Sequence, residues 1–211
     1  MTQLQNLKLL HHLNRLGKKE LGEHISSMTN VIEGLLNRLK VMQELTHGRK
    51  PGLGPCDAGD VLKGVESLIG PTFQNKGIKL MVDFQKELPL IRTNRTQLEQ
   101  VLLILCNNAV DALKDTPKPS LLLNFYTEDQ FAKIEVIDNG LGMSEATVSS
   151  IFSPFFTTKK RGQGTGLGLS IAKKIIEEQQ GRISVKSSLG LSTTFTIRLR
   201  LAERISKTVA Y

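Results

Sequence analysis

One stretch of the chain, residues 108–168, holds a pattern of asparagine, aspartate and glycine that few folds accommodate. Three short segments stand there in order. Asn108-Ala109-Val110-Asp111-Ala112 lies late in an apolar helical run. Asp138-Asn139-Gly140-Leu141-Gly142-Met143 follows a run of strand formers. Gly162-Gln163-Gly164-Thr165-Gly166-Leu167-Gly168-Leu169 opens another helical run. An asparagine amide offers oxygen to a hard cation, and a carboxylate accepts from an exocyclic amine. Glycines let a backbone approach a ligand closely, and a helix N-terminus attracts phosphate. Together the segments read as one nucleotide site. A purely structural glycine loop would account for the third segment but not for Asp138-x-Gly140-x-Gly142.

Two commoner phosphate motifs do not fit. There is no G-x-x-x-x-G-K-[ST], and the glycines at 162, 164, 166 and 168 never satisfy G-x-G-x-x-G. The three segments instead resemble the N, G1 and G2 boxes of the histidine-kinase ATP-binding domain, in the superfamily that also holds DNA gyrase and MutL. Phe152-Ser153-Pro154-Phe155-Phe156-Thr157-Thr158-Lys159 resembles its F box. The resemblance covers roughly residues 57 to 200, and the F-box and glycine-box form is most similar to the nitrogen-regulatory branch of sensor kinases.

The resemblance implies an α+β, Bergerat-type ATP-binding sandwich, a mixed sheet with helices on one face, with ATP and Mg2+ as cofactors. It implies that Asp138 accepts from the adenine amine and that Gly140 and Gly142 leave room beside the base. Asn108 would coordinate magnesium, although the family's second asparagine, one turn earlier, is Ile104 here. Lys159, Lys160 and Arg161 would face the phosphates on a mobile lid anchored by Phe155 and Phe156. Gly164, Thr165, Gly166, Leu167 and Gly168 would cradle the phosphates, and either Thr193 or Thr194 would lie near the base, with Thr194 carried into the expected site.

At 211 residues the chain has room for one good core plus an accessory element. No apolar run is long enough to span a bilayer, and Met1–Leu10 does not read as a signal peptide, so the expectation is a cytoplasmic chain, with a membrane tether in a longer protein left open. Cys56 and Cys106 form no metal-ligand spacing, and Cys106, next to Val101-Leu102-Leu103-Ile104-Leu105, reads as a buried, inert thiol. The net charge of +8 is scattered and interleaved with only two tyrosines and no tryptophan. It therefore reads as a solvated basic surface, and no nucleic-acid partner is expected.

Leu21, Ile25, Met28, Ile32, Leu35, Leu39 and Met42 alternate at steps of four and three, a heptad seam. Residues 1–50 are accordingly expected to be a partial helical dimerisation segment and 51–211 the ATP-binding domain, with Gly48–Pro55 as the break. Beyond it, Asp57 or Asp60 caps a helix running toward Gly70-Pro71. A strand is expected over Ile78–Phe84, a helix over Thr96–Lys114 and strands over Leu121–Tyr126 and Ala132–Ile137, joined by a turn at Thr127–Gln130. A short helix follows Ser144, a helix spans Thr165–Gln180, and a hairpin around Gly190 pairs Ile183–Ser187 with Thr193–Leu201.

What is missing is a phosphoacceptor. No His-Glu-Leu-x-x-Pro-Leu is present, and of His11, His12, His24 and His47 only His24 adjoins the seam, which makes it a weak candidate. The leading expectation is the catalytic region of a sensor histidine kinase. It would transfer the ATP γ-phosphoryl to a histidine and then to an aspartate of a response regulator, as a homodimer. The alternatives are a non-catalytic ATP-binding or dimerising partner that modulates a kinase, and an anti-sigma-type serine kinase.

Overall fold

The computed structural model describes residues 52–159 and 164–203. The heptad seam, His24, the chain before residue 52, and Lys160 and Arg161 lie outside the described residues.

The elements run β1 (Gly54–Cys56), α1 (Ala58–Asn75), β2 (Lys79–Phe84), β3 (Ile91–Thr93), α2 (Arg95–Ala112), β4 (Ser120–Glu128), β5 (Phe131–Asp138), α3 (Glu145–Ser150), α4 (Gly168–Glu178), β6 (Arg182–Ser188) and β7 (Ser192–Arg200). Five strands form one sheet in the order β2-β4-β5-β7-β6. β2 pairs parallel with β4, and every other pairing in that sheet is antiparallel. Strict alternation sorts its side chains. Leu121, Leu123 and Phe125, then Ala132, Ile134 and Val136, then Phe195, Ile197 and Leu199 are buried on one face. They share a core with Val61, Val65 and Ile69 of α1, Leu98, Val101, Leu102 and Leu105 of α2, and Ala172, Ile175 and Ile176 of α4. This is the mixed-sheet sandwich that the order of elements implied.

Side-chain caps start three helices. Asp57, rather than Asp60, accepts from Gly59 N at 2.6 Å, Asn94 from Gln97 N at 3.0 Å, and Ser144 from Thr147 N at 3.3 Å. Each satisfies an N–H that the helix cannot pair internally.

Several boundaries differ from expectation. α1 does not stop near Gly70-Pro71 but carries Pro71 in its interior. An interior proline costs about 3 kcal/mol, but Ile69 and Phe73, 3% and 2% exposed, hold the turns on either side in the core. Burying two such side chains contributes roughly 1.5–3 kcal/mol each. α4 begins at Gly168 rather than Thr165, because Gly166 has φ +66 and breaks the helical path. β1 and β3, unforeseen, pair as a small antiparallel sheet through Cys56↔Ile91. β4 and β5 extend further than expected and leave only Asp129 and Gln130 to turn, with Asp129 at φ +55. Cys106 is fully buried, and desolvation pushes its thiol up to about 12, so it stays protonated and inert. Among the described residues no helix is long and apolar enough to cross a membrane.

Candidate nucleotide site

α2 is the spine on which the three motif segments meet. Ile104, Asn108 and Asp111 follow at steps of four and three, so they share one helix face. At the end of α2 the Ala112 carbonyl accepts from Leu141 N at 3.2 Å. A Cβ on Gly140 would stand 2.6 Å from that same oxygen, so only glycine lets the second segment lie this close. Gly142, at φ +62, is held on its other side, where a Cβ would meet the Ser188 carbonyl oxygen at 2.0 Å. Met143 N donates to Ser187 Oγ at 2.8 Å, which joins the segment to β6.

Asp138 ends β5 on the core-facing parity, so a carboxylate continues the apolar file of Ala132, Ile134 and Val136. It is 3% exposed, and its Oδ1 accepts from Gly140 N at 2.9 Å. Burial pushes its carboxyl above the ordinary aspartate range, and the Gly140 N–H opposes that shift. The register places Thr193 directly opposite Asp138 and Thr194 opposite Ile137. Neighbours in a strand point to opposite faces, so Thr194 turns away from the carboxylate. The threonine beside Asp138 is Thr193, 4% exposed and hydrogen-bonded through its hydroxyl to Ser187 Oγ at 2.9 Å.

The third segment reaches α2 through Gly168 and the Phe152–Lys159 segment through Gly164 and Gly166. A Cβ on Gly168 would come within 3.3 Å of Ile104 Cγ2, and one on Gly164 within 2.8 Å of Thr157 Oγ1. A Cβ on Gly166 would lie 2.4 Å from the Phe155 carbonyl carbon. Thr165 Oγ1 accepts from Leu167 N at 3.3 Å, and α4 then begins without a side-chain cap. An uncapped helix start presents backbone N–H groups and the positive end of the helix dipole, which suits an anion. Of the two expected anchors, Phe156 packs against the core, but Phe155 is 74% exposed at φ +65 and anchors nothing. Phe152 packs edge-on against Phe195, with ring centroids 6.4 Å apart.

Two side chains were missed in the sequence. Asp111 forms an ion pair with Lys159, which draws the expected phosphate ligand onto the Asn108 face. The spacing of Asp111 from Asn108 was legible, but its partner, 48 residues away, was not. Ser187 connects the Gly142 segment to Thr193. Among the described residues no cluster of three His, Cys, Asp or Glu is placed to hold a metal. Magnesium beside a nucleotide needs only one or two protein oxygens, the rest coming from phosphate and water. The Asn108 amide and the Asp111 carboxylate on one helix face fit that chemistry, whereas Ile104 offers no donor.

Residues 93–203 match the model of the histidine kinase-, DNA gyrase B-, and HSP90-like ATPase family. The C4-dicarboxylate transport sensor protein DctS of Rhodobacter capsulatus is 31% identical over 163 residues, 76% of this chain and 24% of the relative. The signal transduction histidine-protein kinase AtoS of Escherichia coli (strain K12) is 34% identical over 190 residues, 88% of this chain and 31% of the relative. The chain thus spans about a fifth to a third of the length of the curated relatives it matches. The solved catalytic domain of histidine kinase ThkA superposes with a TM-score of 0.64 at 27% identity, over 72% of this chain and 97% of that one. A buried carboxylate and two glycine segments gathered on one asparagine-bearing helix, together with these likenesses, make the chain a member of the histidine kinase-, DNA gyrase B-, and HSP90-like ATPase family, with the ATP-binding catalytic domain of a sensor histidine kinase.

Proposed function

We propose that this chain binds Mg-ATP and supplies the γ-phosphoryl to a histidine, from which it passes to an aspartate of a response regulator. The observation that carries the reading is the buried Asp138 carboxylate standing beside the end of the helix that bears Asn108. In this reading Asp138 accepts from the adenine amine, Thr193 lies beside it, and Gly140 and Gly142 admit the flat base. The N-terminus of α4 with Gly164, Thr165, Gly166, Leu167 and Gly168 holds the phosphates, joined by Lys159 and Arg161. Asn108, with Asp111 within one turn, would hold magnesium, which neutralises phosphate charge as the terminal group leaves. The protein's part is positioning and charge stabilisation; the nucleophile is an imidazole, and no His-Glu-Leu-x-x-Pro-Leu motif in this sequence supplies it. The seam from Leu21 to Met42 would assemble a homodimer, and Ile32→Asp should then shift sedimentation toward monomer while the ATP domain stays folded.

Labelled ATP with the isolated chain should give little or no acid-labile phosphate. Adding a protein that carries a His-Glu-Leu-x-x-Pro-Leu helix pair should label that acceptor. Transfer should survive His24→Gln and fall roughly a hundredfold or more with Asn108→Ala. Stoichiometric label on His24 would make the chain a self-contained kinase. The absence of transfer to any acceptor, with ATP still bound, would favour a non-catalytic partner, the reading that Ile104 and the missing phosphoacceptor motif support.

A further inference from the structure

The face of the sheet turned away from the core carries a row of cations that the nucleotide site does not use. The register sets Lys133 of β5 directly opposite Arg198 of β7, and Arg198 directly opposite Arg182 of β6. Directly paired residues stand about 5 Å apart at Cα, so the three residues that carry these charges form a row about 10 Å long. Like charges directly opposite one another destabilise a sheet. Lys133 is relieved by an ion pair with Glu128. Among the described residues neither arginine has a carboxylate within ion-pair distance. The other carboxylate nearby, Glu135, already accepts from Tyr126 OH at 3.1 Å, Asn124 Nδ2 at 3.3 Å and Thr196 Oγ1 at 3.5 Å.

Arg198 is held in place without being satisfied. Its guanidinium lies 3.5 Å from the centroid of the Phe131 ring, and its Nε is enclosed with no hydrogen-bond acceptor. Stacking fixes the plane of the fork while leaving the matching carboxylate absent. Around it Glu128, Lys133, Arg182, Ser184, Thr196 and Arg198 line a shallow depression of about 290 Å³.

We propose that this face docks an acidic helix of a partner protein, laid across the strands with its carboxylates over Lys133, Arg198 and Arg182. Residues three or four apart on a helix present side chains 5–6 Å apart, which matches the cross-strand spacing of the positions that carry the cations. Alternate residues of an added strand stand nearly 7 Å apart and drift out of step. A nucleic-acid backbone is disfavoured because Glu128 and Glu135 sit within the same face, and because the Phe131 ring is covered by Arg198 rather than open to stack a base. Spaced carboxylates tolerate such mixed charge better than a continuous polyanion does.

The probe is a synthetic helical peptide with glutamates four residues apart along one face, titrated by fluorescence anisotropy into the full chain. A peptide of the same composition in scrambled order and a single-stranded oligonucleotide serve as controls. The patterned peptide should bind best, more weakly as salt rises, and its amide shift changes should map to β5, β6 and β7. R182Q/R198Q should weaken it about tenfold and leave ATP affinity unchanged. R182Q alone should also raise the melting temperature, because it relieves like-charge opposition, whereas a residue with a merely structural role would lower it. Equal binding of the scrambled peptide, tighter binding of the oligonucleotide, shift changes away from the sheet, or no binding at all would each overturn the proposal.

Discussion

Asp138→Asn is expected to weaken ATP binding about 10- to 150-fold while leaving the nucleotide-free domain at least as stable as before. A carboxylate accepts at both oxygens, whereas an amide offers one acceptor and turns donors toward the adenine amine. Loss of a hydrogen bond to a charged group costs roughly 1.5–3 kcal/mol, which gives that range. The stability half of the prediction follows from burial. Asp138 is 3% exposed, and desolvation raises its folded-state pKa against the pull of the Gly140 N–H. A carboxyl whose pKa is raised on folding binds its proton more tightly in the folded state. The nucleotide-free domain therefore gains stability from this group as pH falls from above the raised pKa toward the unfolded value, and carries the cost of the charge at neutral pH. ATP affinity should fall over the same acid side, starting at higher pH than for an exposed aspartate, because the ionised group is the acceptor. The substitution should remove both pH dependences while its amide oxygen keeps the Gly140 N–H bonded. Calorimetric titration across pH, alongside thermal unfolding of the free protein, measures both halves. Unchanged affinity in a folded variant would remove Asp138 from the site.

Gly142→Ala should cost the fold about 2–4 kcal/mol, a loss far larger than a surface methyl ordinarily causes. Part of it is conformational, since φ is +62, and holding a residue with a side chain there costs of order 1–3 kcal/mol. The remainder is a collision with backbone. The new Cβ would stand 2.0 Å from the Ser188 carbonyl oxygen and 2.7 Å from its carbon, neither of which can rotate away. Relief requires shifting the β6–β7 turn, but Gly190 N donates to Leu141 O at 2.6 Å and Ser187 holds Met143. The strain should therefore spread to Thr193 and Asp138 and lower nucleotide affinity as well. Gly190→Ala separates the two causes, because Gly190 has φ +77 but nothing within 4 Å of the added carbon. Urea denaturation should show the smaller, conformational part of the loss in Gly190→Ala and the full loss in Gly142→Ala. Equal losses would refute the steric account.

Local chemistry decided much of this protein before any tertiary structure was known. Period-two alternation in residues 132–136 set which side of β5 faces the core, whereas the three consecutive leucines 121–123 left the buried face of β4 open. Asn94 and Ser144 are cap residues whose oxygens have donors three residues on, and Asp57 has one two residues on. Asp138 with the glycines after it marks a carboxylate at a strand end followed by backbone that packs closely, and these are properties of single residues. Pairings between distant segments were decided only by the fold. The alternation of Phe195, Ile197 and Leu199 puts Thr193 rather than Thr194 on the core face, but that Thr193 stands opposite Asp138 depends on the register of β7 against β5, which no local pattern contains. The cation row depends on the same register across residues 133, 182 and 198. Pro71 remained helical because Ile69 and Phe73 were already committed to the core, and the three-residue strands β1 and β3 are too short to signal alone. Ile104 met Gly168 because α2 and α4 pack side by side, and Lys159, between α3 and α4, met Asp111 because its segment returns to α2; side-chain spacing along α2 says nothing of either neighbour.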